Sequence, residues 1–278
     1  MKTPRTMLAA VAVCAWIAAG GAQTPASSAA HETVQSPELE RFLKTAPITA
    51  FKKLGTGVTQ SRKATLELDG VTHFAVFKIV DEKPVMGVQK LEGGVEAEFQ
   101  DSWRTEVAAY ELDKLIGLNQ VPTTVERKYD KENVEGSLQF WVDNIMDEKK
   151  RQATKTDPPN VTEWNDEMSK LVMWDNLIYN TDRNLNNILV TPTWKLVAID
   201  HSRTFRPFAQ LKDTKSMTRF SRSLLARMAA LNESKLKKVL DPYLTQYQIQ
   251  GILKRRDAIA AIARKLVAEK GEAAVLFQ

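Results

Sequence analysis

Tyr179-Asn180-Thr181-Asp182-Arg183-Asn184-Leu185-Asn186-Asn187-Ile188-Leu189-Val190, with the second strand that follows it and ends in Ile199-Asp200, is the stretch on which the fold turns. An amphipathic segment starting at Thr162 or Asn165 and running through Leu171, Trp174, Leu177 and Ile178 predicts a long helix. The polar run after it predicts an irregular loop. Ile188 to Val190 and Leu196 to Ile199 read as short apolar strands joined by the turn Thr191-Pro192-Thr193-Trp194. Such a hairpin carries Asp200 back beside Asn187.

A carboxylate and an amide carbonyl at one point suit a hard divalent cation such as magnesium or manganese. Phosphoryl transfer needs a second carboxylate close to the acceptor hydroxyl, and Asp182 stands at the right place for it. The five-residue spacing from Asp182 to Asn187 equals that of the base and the metal-binding Asn in a kinase catalytic loop. Taken singly, Asp182 and Asn187 read equally as turn formers and Asp200 as a helix cap. Their joint occurrence, in this order and on these elements, favours the chemistry.

Working toward the N-terminus, Ile48 to Val80 alternates as β-structure around Asp69-Gly70, the strongest hairpin signal in the chain. Three antiparallel strands are expected, with Phe74, Val76, Lys78 and Val80 on one face of the third. Between the first two lies Gly55-Thr56-Gly57-Val58-Thr59-Gln60-Ser61. Gly55 and Gly57 would let the backbone approach phosphate oxygens, and Thr59 and Ser61 would add hydroxyl donors; the same residues also suit a plain hairpin turn. Asp81 to Gln100, with Pro84 and Gly93-Gly94, reads as a loop or insertion. A helix capped by Asp101 or Ser102 then runs to Ile116 and stops at Gly117. Thr123 to Arg127 and Ser137 to Val142 complete a five-stranded sheet. Beyond the central loop, helices fill much of Ser221 to Lys270. A β lobe and an α lobe joined by a polar segment enclose a cleft.

The chain has 278 residues, 43% hydrophobic and 26% charged, with a net charge of +5. It is globular, and the mild charge gives no reason to expect a nucleic-acid partner. Lys2 and Arg5, the apolar run Met7 to Ala19, and Gly20-Gly21-Ala22 have the order and size of a secretory signal over residues 1–22, too short to anchor in a bilayer. A buried N-terminal helix and a lipoprotein signal through Cys14 are the weaker alternatives. Residues 23–37, rich in Ala, Ser, Thr and Pro, read as a flexible tether. Cys14 is the only cysteine, so a processed chain has no thiol. That favours a bacterial envelope or secreted bacterial protein over a disulfide-stapled eukaryotic one. No His-Glu-x-x-His or Gly-x-Ser-x-Gly motif occurs, and His31, His73 and His201 are scattered. Lys149-Lys150-Arg151 reads as a solvated loop.

Thr181-Asp182-Arg183-Asn184-x-x-Asn187 and Ile199-Asp200-His201-Ser202-Arg203-Thr204-Phe205 resemble the Asp-Arg-(His/Asn)-x-x-Asn and Asp-Asn-Gly-Arg-x-Phe patterns of atypical kinases. These are the phosphatidylinositol 3- and 4-kinases, the HipA-type kinases and the secretory-pathway kinases acting on casein-like proteins. Ala75-Val76-Phe77-Lys78 and Trp103-Arg104-Thr105-Glu106 agree, and the resemblance extends from Ile48 to Asp257. It implies an α+β, bilobal protein-kinase-like fold. Residues 38–142 would form a small antiparallel N-lobe with one helix, and residues 143–278 a mainly helical C-lobe. It further implies ATP with Mg²⁺ or Mn²⁺, Asp182 as the catalytic residue, and Asn187 and Asp200 as metal ligands. Lys78 would bind phosphate and pair with Glu106, with Glu111 and Glu98 as rivals. Val76 would roof the adenine, and Val142 and Asp143 would lie at the hinge that meets it.

The pattern also departs from ordinary protein kinases. Asn180-Thr181-Asp182 replaces His-Arg-Asp, Asp200-His201-Ser202 replaces Asp-Phe-Gly, and no Ala-Pro-Glu segment follows. The expected activity is γ-phosphate transfer to a protein or lipid hydroxyl by an exported enzyme, periplasmic or secreted. A binding module without turnover stays open, because the envelope is poor in ATP. So does transfer of AMP on the same scaffold. Nothing in the pattern sets an oligomeric state.

Overall fold

In the computed structural model, the structure describes residues 34–55, 61–82, 87–91, 94–143 and 145–278. The expected signal segment, most of the tether, Gly57, Thr59 and Asn144 lie outside the described residues. The architecture is α+β, an antiparallel sheet lobe followed by a mainly helical one, as expected.

Helix α1 (Pro37–Thr45) starts on Ser36, whose hydroxyl accepts from Leu39 N, with Pro37 in the first turn. Strands β1 (Ile48–Lys53), β2 (Arg62–Leu68) and β3 (Val71–Lys78) follow. Asp69 and Gly70, both at positive φ, make the two-residue turn that joins Leu68 to Val71. Ala75 and Phe77 point into the lobe's core, which leaves Phe74, Val76 and Lys78 on the opposite face. That core holds Leu43, Leu66, Phe77, Leu138 and Phe140, each worth about 1.5–3 kcal/mol of burial.

Two expectations are corrected here. Val34, Gln35 and Ser36 are not tether: Val34 is buried, its carbonyl accepts from Thr123 N at 2.8 Å, and Gln35 donates to Asp113 and the Val121 carbonyl. The segment from Asp81 to Gln100 is not a bare loop. Strands β4 (Asp81–Glu82), β5 (Val88–Leu91), β6 (Gly94–Ala97) and β7 (Asp101–Ser102) form a hairpin closed at its base by the β4–β7 pair.

Helix α2 (Trp103–Ile116) begins on the Ser102 hydroxyl and ends at Gly117 in the left-handed region. Strands β8 (Thr124–Tyr129) and β9 (Val134–Phe140) complete the five-stranded sheet, ordered β1-β2-β3-β9-β8. Gly136 is needed where β9 passes β3, since a Cβ there would sit 2.2 Å from the Lys78 carbonyl oxygen.

The back lobe starts with β10 (Met146–Asp147) and α3 (Glu148–Ala153). Lys149, Lys150 and Arg151 thus lie on a helix, not a loop: Asp147 caps it, and Arg151 pairs with Glu148 at 2.6 Å. Helix α4 (Val161–Ile178), capped by Asn160, leads to the central loop and a three-residue helical turn, Leu185–Asn187. Strands β11 (Ile188–Val190) and β12 (Leu196–Ala198) form the expected hairpin, extended by β10. After β13 (Phe220–Ser221) come α5 (Arg222–Ala229), α6 (Glu233–Leu240), α7 (Gln246–Lys270), α8 (Glu272–Val275) and β14 (Leu276–Phe277), which pairs with β13. The core between these helices centres on Trp174, Leu177, Ile188, Phe205, Leu236 and Ile252. None of the described helices is long and apolar enough to cross a membrane.

Substituting Gly136→Ala forces β9 off β3 at the Lys78 carbonyl. It should cost about 1–3 kcal/mol in urea unfolding, and unchanged stability would show that the strands can separate freely there.

Candidate active site

The site is assembled where the two lobes meet. Lys78, at the end of β3, donates to Glu106 Oε1 of α2 at 2.5 Å and to Asp200 Oδ1 at 2.6 Å. The first acceptor belongs to the front lobe and the second to the back lobe. Glu106 is 1% exposed, so its charge is compensated rather than solvated. Its sequence rivals are engaged elsewhere: Glu111 pairs with Lys114, and Glu98 accepts from Gly87 N.

Asp200 stands two residues past β12 at φ 61, a left-handed position that Asp tolerates better than most residues. Its Oδ2 lies 3.4 Å from Asn187 Nδ2. The hairpin thus meets the expectation drawn from the spacing: Asp200 and Asn187 share one point, together with Lys78 and Glu106. Asp182 lies five residues before Asn187 on the same loop. Its carboxylate is 47% exposed and 3.6 Å from Arg203 Nη1, while Arg203 Nε donates to Asp101 at the foot of α2.

The polar loop is held from inside by residues that the motif leaves unassigned. Arg183 grips Asp175 of α4 through Nε and Nη2 at 3.0 Å each, and its Nη1 donates to the Asn187 and Ile199 carbonyls at 3.0 and 2.7 Å. Two asparagines do the turn-forming that was also a reading of Asp182 and Asn187. Asn180 Oδ1 accepts from Asp182 N, and Asn184 Oδ1 accepts from Asn186 N. His201, fully buried, packs between Trp174, Arg183 and Glu106.

The segment after Asp200 is tied to both lobes. The Ser202 carbonyl accepts from Ser102 N and from the Thr105 hydroxyl. Gln100 donates to the Thr204 carbonyl and accepts from Gln248 of α7 at 2.8 Å. Arg255, also on α7, is buried, donates to the carbonyls of Leu177, Arg206 and Phe208, and lies over the Tyr179 ring. Burial pushes its guanidinium down to about 9. Sequence offered no signal for Gln248 or Arg255, since each is recognised only by the distant groups it meets, nor for Asp175, whose partner Arg183 lies eight positions on, past the helix end.

Gly55 and Ser61 stand at the facing ends of β1 and β2, where Leu54 N donates to the Ser61 carbonyl. Val76 pairs across to Gln139 of β9; Val142, packed on the front core, and exposed Asp143 follow that strand. These positions line the front sheet and its exit rather than the ion cluster.

The family model for phosphatidylinositol 3- and 4-kinase matches residues 78–240, more than half of the chain. The chain belongs to the phosphatidylinositol 3- and 4-kinase family. The matched span begins at Lys78 and contains Glu106, Asp182, Asn187 and Asp200. Solved structures share its fold. Hydra Fam20 with sugar is 18% identical, with 86% of this chain and 91% of that one covered at a TM-score of 0.64. The Golgi casein kinase is 16% identical, covering 86% and 76% at 0.64. The same kinase with Mn/ADP bound is 15% identical, covering 86% and 78% at 0.63. No curated protein matches the chain by sequence. Membership of this kinase family makes a phosphotransferase of kinase type the class to which the site is referred.

The donor set fits a divalent metal of the kind such kinases use. Asp200 supplies a carboxylate, and the Asn187 amide can turn its oxygen to the same point. Among the described residues, no group of three or more His, Cys, Asp or Glu side chains is placed to hold a metal alone. A cation here would therefore complete its shell with phosphate oxygens and water, as magnesium commonly does.

The charges set a pH signature. Burial opposes ionisation of Glu106, but the Lys78 ammonium and His201 outweigh it and hold the carboxyl far below its ordinary 4.5. Its contribution to stability is thus present above 4.5 and lost as pH falls through the folded value. Burial likewise opposes the Lys78 charge, and Glu106 and Asp200 overcome it, raising the ammonium above its ordinary 10.5. That contribution is present below 10.5 and lost as pH rises through the folded value. Substituting Lys78→Met leaves Glu106 buried and unpaired, a loss of about 3–5 kcal/mol at neutral pH. With the Lys78 ammonium gone, burial acts on Glu106 against His201 alone, so the variant should gain thermal stability relative to the parent as pH falls from about 7 to 5. Parallel melting curves against pH would contradict the pairing.

Proposed function

We propose that this chain is an exported, ATP-dependent kinase that transfers the γ-phosphate to a hydroxyl of a protein or lipid acceptor. The observation that carries the reading is the union of Lys78, Glu106, Asn187 and Asp200 in one hydrogen-bonded group across the lobe boundary, with exposed Asp182 nearby. The Mn/ADP held by the Golgi casein kinase of like fold supports nucleotide and divalent metal as cofactors here.

In this reading Lys78, kept charged by two carboxylates, turns its ammonium to the nucleotide phosphates. Glu106 fixes the direction of that side chain. Asp182, whose carboxylate is half-exposed, orients the acceptor hydroxyl and accepts its proton. Asp200 and Asn187 hold Mg²⁺ or Mn²⁺, which when bound neutralises charge on the phosphate oxygens. Residues Gly55 to Ser61 cover the phosphates, Val76 roofs the adenine, and Val142 and Asp143 form the hinge between lobes 38–142 and 143–278. Export rests on Lys2, Arg5 and the apolar run before Gly20, with residues 1–22 as the signal.

The test is labelled ATP with Mn²⁺ or Mg²⁺ against protein, peptide and lipid acceptors, read by transfer and by intact mass of the acceptor. Phosphorylation should depend on metal. Asp182→Asn should lower kcat by about 10²–10⁴-fold with nucleotide affinity retained, and Asp200→Ala should abolish metal-dependent nucleotide binding. Transfer that survives both substitutions would sink the assignment of these residues. Nucleotide binding without transfer to any acceptor would make the chain a binding module, and an adenylyl adduct would make it an AMP transferase.

A further inference from the structure

Glu106 has two carboxylate oxygens, and only Oε1 is spoken for by Lys78. Oε2 is buried without a hydrogen-bond partner, and 3.8 Å from it lies His201 Nδ1, likewise buried and unpartnered. The other ring nitrogen settles what Nδ1 carries. Trp174 Nε1 donates to His201 Nε2 at 3.3 Å, and Arg183 Nη2 lies 3.1 Å from the same atom. Indole and guanidinium nitrogens are donors only. Nε2 must therefore be the bare, accepting nitrogen, and in the neutral ring the proton sits on Nδ1, facing Glu106.

We propose that His201 is a positioning residue that donates from Nδ1 to the second oxygen of Glu106, holding the Lys78–Glu106 pair in register with the Arg183-braced catalytic loop. The proposal rests on the kinase reading only for its functional consequence; the place of the proton on Nδ1 stands on the two donors at Nε2. His201 contacts neither phosphate nor acceptor in this scheme. It acts through Glu106 on one side and through Arg183, which grips the Asn187 and Ile199 carbonyls, on the other. The groups facing the ring are thus Glu106 from α2, Trp174 from α4 and Arg183 from the loop. A ring with one donating and one accepting nitrogen serves all three at once; an aliphatic residue of similar size serves none. The Lys78–Glu106 pair is so connected to the catalytic loop by a buried polar chain, without any contact from an activation segment.

Two measurements on the full chain decide it. Long-range proton–nitrogen correlation on histidine-labelled protein reads the tautomer of each of its three imidazoles, with the His201 signals identified by their loss in His201→Asn. The expected form is Nδ1–H, and an Nε2–H ring overturns the proposal. Second, Asn places an N–H donor where Nδ1 stands, while Leu fills the space without one. Affinity for Mn²⁺–nucleotide should fall about ten-fold or more in His201→Leu and stay within about three-fold of the parent in His201→Asn. Equal losses in the two variants would make His201 a packing residue and overturn the proposal. If His201→Leu fails to fold, the tautomer decides alone. A parent chain that binds nucleotide but transfers nothing counts against the active-kinase reading, and leaves both measurements in force.

Discussion

One ammonium, Lys78 Nζ, is shared by two carboxylates from different lobes, and the rest of the site is arranged around keeping that possible. Removing such a charge from water costs several kcal/mol, and mutual attraction recovers it only when the geometry is good. The pair and its third partner are therefore better seen as a constraint on position than as a source of stability. β3 must end where α2 begins its second turn, and the hairpin of β11 and β12 must deliver Asp200 to the same place. Gly136 lets β9 close on β3 at the Lys78 carbonyl, and Ser102 starts α2 one turn before Glu106.

The loop from Asn180 to Asn187 solves a second problem, how to hold irregular backbone rigid without a ladder. Arg183 does so with a fork onto Asp175 and a third nitrogen bridging two carbonyls. A planar guanidinium suits this bidentate geometry where an ammonium would not. Asn180 and Asn184 cap local turns with their side-chain oxygens. The division of labour explains why a loop so rich in Asp and Asn can still present particular side chains to the cleft.

Much of this was legible in the sequence, because the informative signals are local. The Asp69-Gly70 hairpin, the Ser102–Gly117 bounds of α2 and the strand–turn–strand from Ile188 to Asp200 follow from periodicity and capping over a few residues. Asn187 and Asp200 were found through order and spacing, Lys78 and Glu106 through the resemblance to atypical kinases, and the structure brings the four together. What sequence missed depends on partners far away in the chain. Arg183 meets Asp175 across a helix end, His201 meets Glu106 from 95 positions away, and Gln248 meets Gln100 from 148. The hairpin of β5 and β6 was missed because Pro84 and Gly93-Gly94 read as breakers in the sequence. Val34 to Ser36 looked like linker by composition, whereas their hydrogen bonds to β8's approach make them part of the lobe.

The clamp from α7 has a consequence for what counts as the working unit. The family match stops at residue 240, yet Gln248 and Arg255 beyond it hold the backbone on which Thr204, Arg206 and Phe208 lie. Arg255 does this as a buried cation answered by carbonyl dipoles and the face of the Tyr179 ring, an arrangement that has no solvated substitute once the helix is gone. The evolutionary module and the mechanical one therefore have different ends. A fragment cut to the homologous span would keep Lys78, Glu106, Asn187 and Asp200 and lose the buttress that gives them a fixed address.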